Sequence, residues 1–268
     1  MTTTDLIDRP LEADLRALRT SAPADLGLGA LVDVGLADRY APLATPLGRA
    51  FVAWNGRGVS WISAAEPAEF EASFRARVGR PIRAADALPD RLARAIERRL
   101  SGDRRARVPL DLRGHTPFEI AVWTKALEIP RGEVRPYAWI AAEIGRPRAV
   151  RAVGTALAHN PVPLVVPCHR VVRSDGKLGQ YSMGGPDAKR RVLGAEGLDT
   201  AALEREASSG IRFIGSDTTH IVCHPTCRDA RRVTGRHRVG VGSLEAAAAA
   251  GYRPCRHCRP VSVSGRAA

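Results

Sequence analysis

Hydrophobic residues recur with two different spacings in the first half of the chain. Between residues 45 and 63, two β-rich runs flank the dipeptide Asn55-Gly56, which is typical of a tight hairpin. Apolar residues then recur at helical spacing in two stretches. These residues are Phe70, Phe74 and Val78, followed by Leu88, Leu92, Ile96 and Leu100. With a further β-run over residues 108–112, the pattern predicts a lobe of helices and a short antiparallel sheet.

The pattern becomes helical from Thr116 onwards. Thr116 precedes Pro117, and a Thr cap followed by proline at the first helical position is a typical helix start. Two more helices are predicted over residues 137–144 and 148–157, with a turn at Gly145 between them. Helix, glycine-containing turn, helix is the layout of a helix-turn-helix motif. The third helix is rich in small residues, which either pack against other helices or let its backbone approach a DNA minor groove closely.

A buried-type apolar run ends at Pro167-Cys168-His169-Arg170. Pro167 lacks an amide donor and fixes φ, so the chain must turn at the cysteine. A thiol becomes a nucleophile as its thiolate, which a neighbouring base or cation favours. The alternative for an isolated cysteine is a small buried apolar residue.

Net charge is +13 and the pI is about 10.6, a balance that favours an acidic polymer such as nucleic acid as partner. Residues 1–40 carry −3, residues 41–200 carry +10 and residues 201–268 carry +6. We interpret the first segment as a partly ordered extension with one helix; the alternative is an arm that mimics the DNA backbone. That helix is indicated by Leu6, Ile7, Leu11, Leu15 and Leu18. No apolar run approaches the ~20 residues that span a bilayer, and no membrane association is expected.

Four of the five cysteines form two close pairs, Cys223/Cys227 and Cys255/Cys258. Two such pairs offer four thiolates, the preferred ligand set of structural zinc. His220, His224 and His257 are possible substitute ligands, but four cysteines suffice, and these histidines are expected at the surface or facing DNA phosphate. Zn²⁺ is therefore the predicted metal, with no organic cofactor. A reducing, cytoplasmic location fits a chain whose fifth cysteine must stay reactive.

Several segments together resemble the active-site region of the O6-alkylguanine-DNA alkyltransferases. They are Asn-Pro-Val-Pro at 160–163, Pro-Cys-His-Arg-Val-Val at 167–172, Tyr-Ser at 181–182 and Glu-Gly at 196–197. The resemblance implies that Cys168 is the alkyl acceptor, assisted by His169, Glu196 and Asn160. It also implies a substrate pocket lined by Val172, Tyr181 and Ser182. One extra residue between Tyr181 and Lys189 departs from the family pattern.

The same resemblance assigns a DNA-binding surface to the third helix. Arg151 corresponds to the arginine that occupies the base stack, and Tyr137 to the tyrosine that assists base extrusion. Ala149, Ala152 and Gly154 would let the helix lie close to the minor groove. The implied partner is double-stranded alkylated DNA, bound by a monomer near the nucleoid.

The cysteine pairs and their flanks, at 218–228 and 250–260, resemble the metal-binding domain of the bacterial Ada protein. The resemblance implies that Cys223 is a zinc ligand that also accepts methyl groups from DNA phosphotriesters; the alternative is a purely structural zinc site. Two departures are a gap one residue longer between the pairs and Ala230 where the family has an arginine.

The sequence thus predicts an α+β protein that acts as a methylated-DNA–[protein]-cysteine S-methyltransferase on O6-alkylguanine and O4-alkylthymine. The alternative is a DNA lesion sensor or methylation-responsive regulator without transfer chemistry. The predicted parts are an extension (1–40), an α/β lobe (41–112), the helix-turn-helix catalytic domain (113–200), a linker (201–210), the zinc domain (211–262) and a tail (263–268).

Overall fold

A computed structural model describes residues 26–262 of the chain. The predicted helix around Leu6–Leu18 and the tail at 263–268 lie outside the described residues. The described part is an α+β structure, as predicted, with two four-stranded sheets and one two-stranded pairing. No helix in residues 26–262 combines the length and the apolar character needed to cross a bilayer.

The N-terminal lobe is built on a sheet in the order β3-β2-β1-β4. Its elements are α1 (Leu26–Asp33), β1 (Asp38–Thr45), β2 (Gly48–Asn55), β3 (Gly58–Ser63), α2 (Pro67–Val78), β4 (Ile82–Ala84) and α3 (Asp90–Leu100). The predicted Asn55-Gly56 hairpin is confirmed, since β2 and β3 pair antiparallel with Asn55 opposite Gly58. Helix α1 and the start of β1 fall inside the segment predicted as an extension.

Two predictions for this lobe are wrong. The sheet is mixed rather than antiparallel, because α2 carries the chain across and returns it with β4 parallel to β1. Residues 108–112 form no strand; Leu110 makes only an isolated bridge to Val59. That bridge brings the backbone at Pro109 so close to Gly58 that a Cβ there would lie 2.4 Å from the Pro109 carbonyl.

The middle segment contains four helices and the cysteine turn. Its elements are α4 (Pro117–Ala126), β5 (Arg135–Pro136), α5 (Tyr137–Glu143), α6 (Val150–Ala158), β6 (Val171–Val172) and α7 (Gly185–Ala195). Helix α4 begins with the predicted cap, completed by Glu119 as a capping box. Helices α5 and α6 with the turn at Gly145 (φ 71°) confirm the helix-turn-helix layout.

The C-terminal segment is a small sheet in the order β10-β8-β7-β9. It comprises α8 (Thr200–Ser208), β7 (Phe213–Ser216), β8 (Ile221–Cys223), β9 (Arg238–Val241), α9 (Leu244–Ala249) and β10 (Arg253–Pro254). Most of the segment 201–210, predicted as a linker, is helix α8. The Asp199 side chain caps this helix, and Leu203 and Ala207 are buried by packing, which together stabilise a helix at this position.

Candidate active site and metal centre

Cys168 opens a 3-10 turn at the end of the predicted apolar run. Val162 and residues Leu164–Val166 are buried, and Cys168 is 6% exposed. The turn follows Pro167 directly, as its missing donor requires. The thiol thus lies at the edge of the main hydrophobic core, and the packed side chains of the preceding apolar run hold the backbone that leads to it.

Asn160 braces this turn with all of its polar atoms. Its Nδ2 donates to the Val166 carbonyl at 3.0 Å and to Cys168 Sγ at 3.1 Å, and its Oδ1 accepts from the Val162 amide at 3.0 Å. Because Asn160 is itself buried, each of these hydrogen bonds also prevents an unsatisfied polar group. Asn160 therefore fixes the sulfur and two points of the backbone that leads to it.

His169 and Arg170 both contact Glu196. His169 Nε2 lies 2.9 Å from Glu196 Oε1, and Arg170 donates to both carboxylate oxygens, at 2.7 Å through Nη2 and 3.0 Å through Nε. Burial alone would raise the pKa of Glu196, but the hydrogen bonds from His169 and Arg170 outweigh it and lower that pKa to about 2. Glu196 is thus a carboxylate and can only accept, so Nε2 carries the proton.

The other imidazole nitrogen, His169 Nδ1, is buried and has no hydrogen-bond partner in the described residues. Burial lowers the pKa of His169, and Glu196 only partly opposes this shift. The ring is therefore neutral near pH 7, with its free lone pair on Nδ1.

Burial also raises the pKa of the Cys168 thiol, although the hydrogen bond from Asn160 and the charge of Lys189 oppose it. The resting group is a thiol rather than a thiolate. Nucleophilic chemistry at this sulfur therefore requires that a base removes its proton during the reaction.

Lys189 is a site residue that the sequence analysis did not identify as functional. It is fully buried on α7, and its Nζ donates to the carbonyls of Val171 and Leu178 at 2.6 Å each. Burial lowers its pKa to about 8. Helical spacing could have flagged it, since Lys189 precedes the buried Val192 and Leu193 by three and four positions on the same helix face.

The predicted pocket residues separate into two groups. Tyr181 packs edge-on against His169, with ring centroids 6.0 Å apart. Ser182 is exposed and lines a cleft together with Asn160 and Trp61. Val172, by contrast, belongs to a different buried cluster from Cys168, whereas Val171 shares the cluster of the cysteine. Neighbouring strand residues face opposite sides, so Val172 packs away from the cluster of Cys168, and its pocket role stays a prediction.

Of the predicted DNA-binding residues, Arg151, Ala152 and Gly154 lie on α6, Ala149 directly precedes it, and Tyr137 begins the preceding helix. Arg151 and Ala152 are exposed on α6, Ala149 and Gly154 are half-buried, and Val153, Ala156 and Leu157 face the core. Tyr137 begins α5, and its hydroxyl lies close to Gly179. Burial raises the pKa of Tyr137. Helix α6 therefore combines a packing face and an exposed face of small residues with one arginine.

The four remaining cysteines converge as predicted. The Sγ atoms of Cys223, Cys227, Cys255 and Cys258 lie within 4.8 Å of one another, and all four residues are buried. A tetrahedral zinc ion with bonds of about 2.3 Å fits such a set of donors. The backbone amide of His224 donates to Cys258 Sγ at 3.3 Å, a contact that suits a thiolate.

The histidines near this cluster are not ligands in it. His220 and His257 are exposed, as predicted, and His257 Nδ1 lies 2.5 Å from Asp229 Oδ2. His224 is buried at 4% exposure, so its predicted surface position is wrong. Its ring packs at 5.6 Å from Phe213, because the turn after Cys223 faces the interior.

Comparison with known proteins assigns both segments to families. Residues 117–198 match the DNA-binding domain of the 6-O-methylguanine DNA methyltransferases, and residues 200–261 match the metal-binding domain of Ada. The chain therefore contains a segment similar to the DNA-binding domain of these methyltransferases, followed by a segment similar to the metal-binding domain of Ada. The resemblance predicted from the sequence is confirmed.

Two similar proteins are both named methylated-DNA–protein-cysteine methyltransferase. The methylated-DNA–protein-cysteine methyltransferase of Rattus norvegicus is 45% identical over 95 residues, which is 35% of this chain and 44% of that protein. The one of Mycobacterium tuberculosis is 53% identical over 79 residues, 30% of this chain and 47% of that protein. The chain thus spans less than half of the length of these relatives. A crystal structure of Mycobacterium tuberculosis OGT in complex with DNA is 31% identical, covers 62% of this chain and 99% of that chain, and has a TM-score of 0.48.

Proposed function

We propose that the protein is a DNA repair alkyltransferase that moves the alkyl group of O6-alkylguanine, and of O4-alkylthymine, to its own Cys168 in a single turnover. One observation carries this proposal. The buried thiol of Cys168 accepts a hydrogen bond from Asn160 and is followed directly by His169. Glu196 binds Nε2 of this histidine, which leaves Nδ1 without a partner in the described residues. These residues lie in the segment that matches the alkyltransferase domain.

The proton of Cys168 leaves through His169 in this mechanism. Because Glu196 holds the proton of Nε2, the base is Nδ1, and one water between Nδ1 and Sγ completes the relay. The thiolate attacks the alkyl carbon in line, the S–C bond forms and the C–O bond to the guanine breaks. The departing guanine takes up one proton and His169 releases the proton that it accepted, so the thiol and the alkylguanine become a thioether and guanine with no net change in charge.

Access to the base requires that it leaves the duplex, which costs a few kcal/mol in lost stacking. Arg151 occupies the vacated space and Tyr137 crowds the neighbouring phosphate. The small residues Ala149, Ala152 and Gly154 allow α6 to approach the minor groove. The acting species is a monomer on double-stranded alkylated DNA, in the cytoplasm at the nucleoid, and its DNA affinity falls with salt.

Intact mass spectrometry tests this function directly. The protein is incubated with duplex DNA that carries one O6-methylguanine, and the modified peptide is mapped. The proposal predicts one added methylene on Cys168 per chain, with no further repair once every chain is modified. Binding to the lesion without a mass gain would instead identify a lesion sensor or methylation-responsive regulator.

A second candidate function concerns Cys223. This cysteine lines a surface pocket together with Thr218, Arg232 and His237, whereas the other three cysteines of the cluster do not. A zinc ion held by the cluster keeps the thiols deprotonated at neutral pH. We propose that Cys223 attacks the methyl group of a DNA methylphosphotriester, which leaves a thioether and a phosphodiester. The charge of the site changes from −2 to about −1, which reduces its repulsion of DNA phosphate.

The test uses the full-length Cys168→Ala variant, loaded with zinc, and DNA that carries methylphosphotriesters. One added methylene on Cys223 supports the acceptor role. No mass gain while zinc stays bound would leave the cluster a structural role only.

A further inference from the structure

The turn between Cys223 and Cys227 contacts the catalytic segment through one side chain. Thr226 Oγ1 accepts a hydrogen bond from the Val134 amide at 2.8 Å and donates to the Val134 carbonyl at 3.3 Å. Both residues are buried, at 5% and 4% exposure. The hydroxyl is thus a partner of the Val134 amide, whereas the Val134 carbonyl also accepts from Arg135 Nη1 at 2.8 Å. Loss of the hydroxyl would therefore leave the buried amide without this partner.

The residue before Val134 makes a second contact across the same interface. Glu133 Oε1 accepts from the Arg228 amide at 3.2 Å, and Glu133 Oε2 pairs with Arg135 at 2.5 Å. Both charged side chains are 4% exposed. A buried ion pair of this kind needs its remaining lone pairs satisfied, and the backbone after Cys227 supplies one of these hydrogen bonds.

The loop at 130–136 then reaches the catalytic carboxylate. The Gly132 amide donates to Glu196 Oε2 at 3.3 Å, and the Arg131 guanidinium donates to the carbonyls of Ala195 and Glu196. Gly132 has φ +73°, and a Cβ there would lie 3.1 Å from the Glu196 carbonyl. Only glycine combines this conformation with so close an approach.

The same loop continues into the strand beside the nucleophile turn. Arg135–Pro136 pairs in parallel with Val171–Val172, which follows the turn at Cys168 directly. The loop therefore touches the transfer site from two sides: at Glu196 through Gly132, and at the backbone after Arg170 through β5. Thr226 binds the centre of this loop.

We propose that the Cys223–Cys227 turn is a positioning element of the transfer site: Thr226 fixes Val134, and the loop at 130–136 then holds Glu196 against His169. The zinc cluster closes this turn, so metal binding at the four cysteines orders His169 through the loop and Glu196. The catalytic consequence rests on the function proposed for Cys168; the structural coupling does not.

Thr226→Val tests the contact, because valine keeps the shape of the side chain and removes the hydroxyl. Thr226→Ser restores the hydroxyl. We expect Thr226→Val to keep one zinc per chain and to slow single-turnover methyl transfer about tenfold, the effect of the lost hydrogen bond to the Val134 amide. Thr226→Ser should recover most of the rate. Thr234→Val, an exposed site in the same domain, is the matched control and should match wild type.

A second readout does not depend on activity. Ring ¹⁵N shifts of His169 should report a single tautomer, protonated on Nε2, in wild type, and a mixture of tautomers both in Thr226→Val and after zinc is chelated. Hydrogen exchange of the 130–136 loop should rise in the same two samples. If wild type transfers no methyl group, the proposed function fails, while these two measurements still decide the coupling.

Gly132→Ala provides an independent variant if Thr226→Val loses zinc. Its Cβ would lie 3.1 Å from the Glu196 carbonyl and strain the loop at φ +73°, while the hydroxyl of Thr226 and the four cysteines are unchanged, so zinc content should stay as in wild type. The His169 tautomer should nevertheless become mixed. An unchanged single tautomer in both Gly132→Ala and zinc-free protein would overturn the proposal.

Discussion

At the scale of the residue, the reactivity of Cys168 depends on two opposing effects of burial. Burial raises the pKa of the thiol and lowers the pKa of His169. The first effect keeps the sulfur protonated at rest, and the second keeps the histidine neutral so that Nδ1 can accept the proton. Asn160 and Glu196 hold the two groups in place. In the proposed mechanism, the protonated thiol is a weak nucleophile at rest, and His169 is the base that activates it for transfer.

Replacement of Cys168 with alanine should abolish alkyl transfer and leave lesion binding intact, because the nucleophile is lost while α6 is unchanged. Asn160 keeps its contacts with Val166 and Val162, so we expect a stability loss of only about 1 kcal/mol. Transfer is measured as protein mass gain, and binding as the affinity for duplex with one lesion. If the alanine variant still removes the O6-methyl group and gains mass at another residue, the assignment of Cys168 as the acceptor is contradicted.

The pH dependence of transfer should follow the neutral form of His169. Protonation of Nδ1 removes the base, so the rate falls as the pH drops through the pKa of the folded histidine. Since burial lowers this pKa, the midpoint should lie below the ordinary value of about 6.5. Single-turnover rates over a pH series give the midpoint, with His115→Gln as control, because that half-buried histidine lies outside the site. A midpoint at or above the ordinary value would argue against a buried neutral base.

At the scale of the element, helix α6 has one side that packs against the core and one side that is exposed. Val153, Ala156 and Leu157 face the core, while Arg151, Ala152 and Thr155 are exposed. Small exposed side chains leave few groups that could read base edges. Binding is therefore expected to depend on the DNA backbone and on base extrusion rather than on sequence.

Arg151→Ala should slow repair of duplex DNA more than repair of single strands. In the proposed role, the arginine compensates for the stacking that the extruded base loses. This loss costs a few kcal/mol in duplex DNA and least in single strands, so we expect the slowing to be at least about tenfold greater on duplex DNA. The measurement compares single-turnover rates on the two substrates. Arg94→Ala is the matched control, because it removes an exposed arginine from α3 in the N-terminal lobe. Equal slowing on both substrates would exclude the stacking role.

Elements with strong local signals could be predicted from the sequence. The hairpin at Asn55-Gly56, the capped helix α4 and the helix-turn-helix all depend on residues within a few positions of one another. The parallel pairing of β4, the isolated bridge at Leu110 and the helix in place of the linker depend on distant partners. The same distinction holds in the site. The cysteine motifs could be recognised from the sequence. The opposite orientations of Val171 and Val172 and the buried carbonyl groups that accept hydrogen bonds from Lys189 are seen only in the folded structure.

At the scale of the whole molecule, the zinc domain is joined to the catalytic segment by polar contacts as well as by chain connection. Thr226 and Arg228 contact the loop at 130–136. On the other side of the cluster, Arg259 pairs with Glu143 at 2.7 Å and stacks over Trp139 at 5.7 Å. Contacts from both cysteine pairs therefore reach α5 or the loop before it, and the two domains should unfold cooperatively.

Arg259→Ala tests this cooperativity. Arg259 is about half exposed, so its ion pair contributes little, about 0.5 kcal/mol, and its stacking on Trp139 adds a similar amount. The variant should lower the melting temperature of the zinc-loaded protein by about 2–4 °C and raise hydrogen exchange in α5. Arg256→Ala removes an exposed arginine from the same turn and serves as the control, with no expected shift. Equal shifts in the two variants, or separate transitions for the two domains in wild type, would show that the contact does not couple their unfolding.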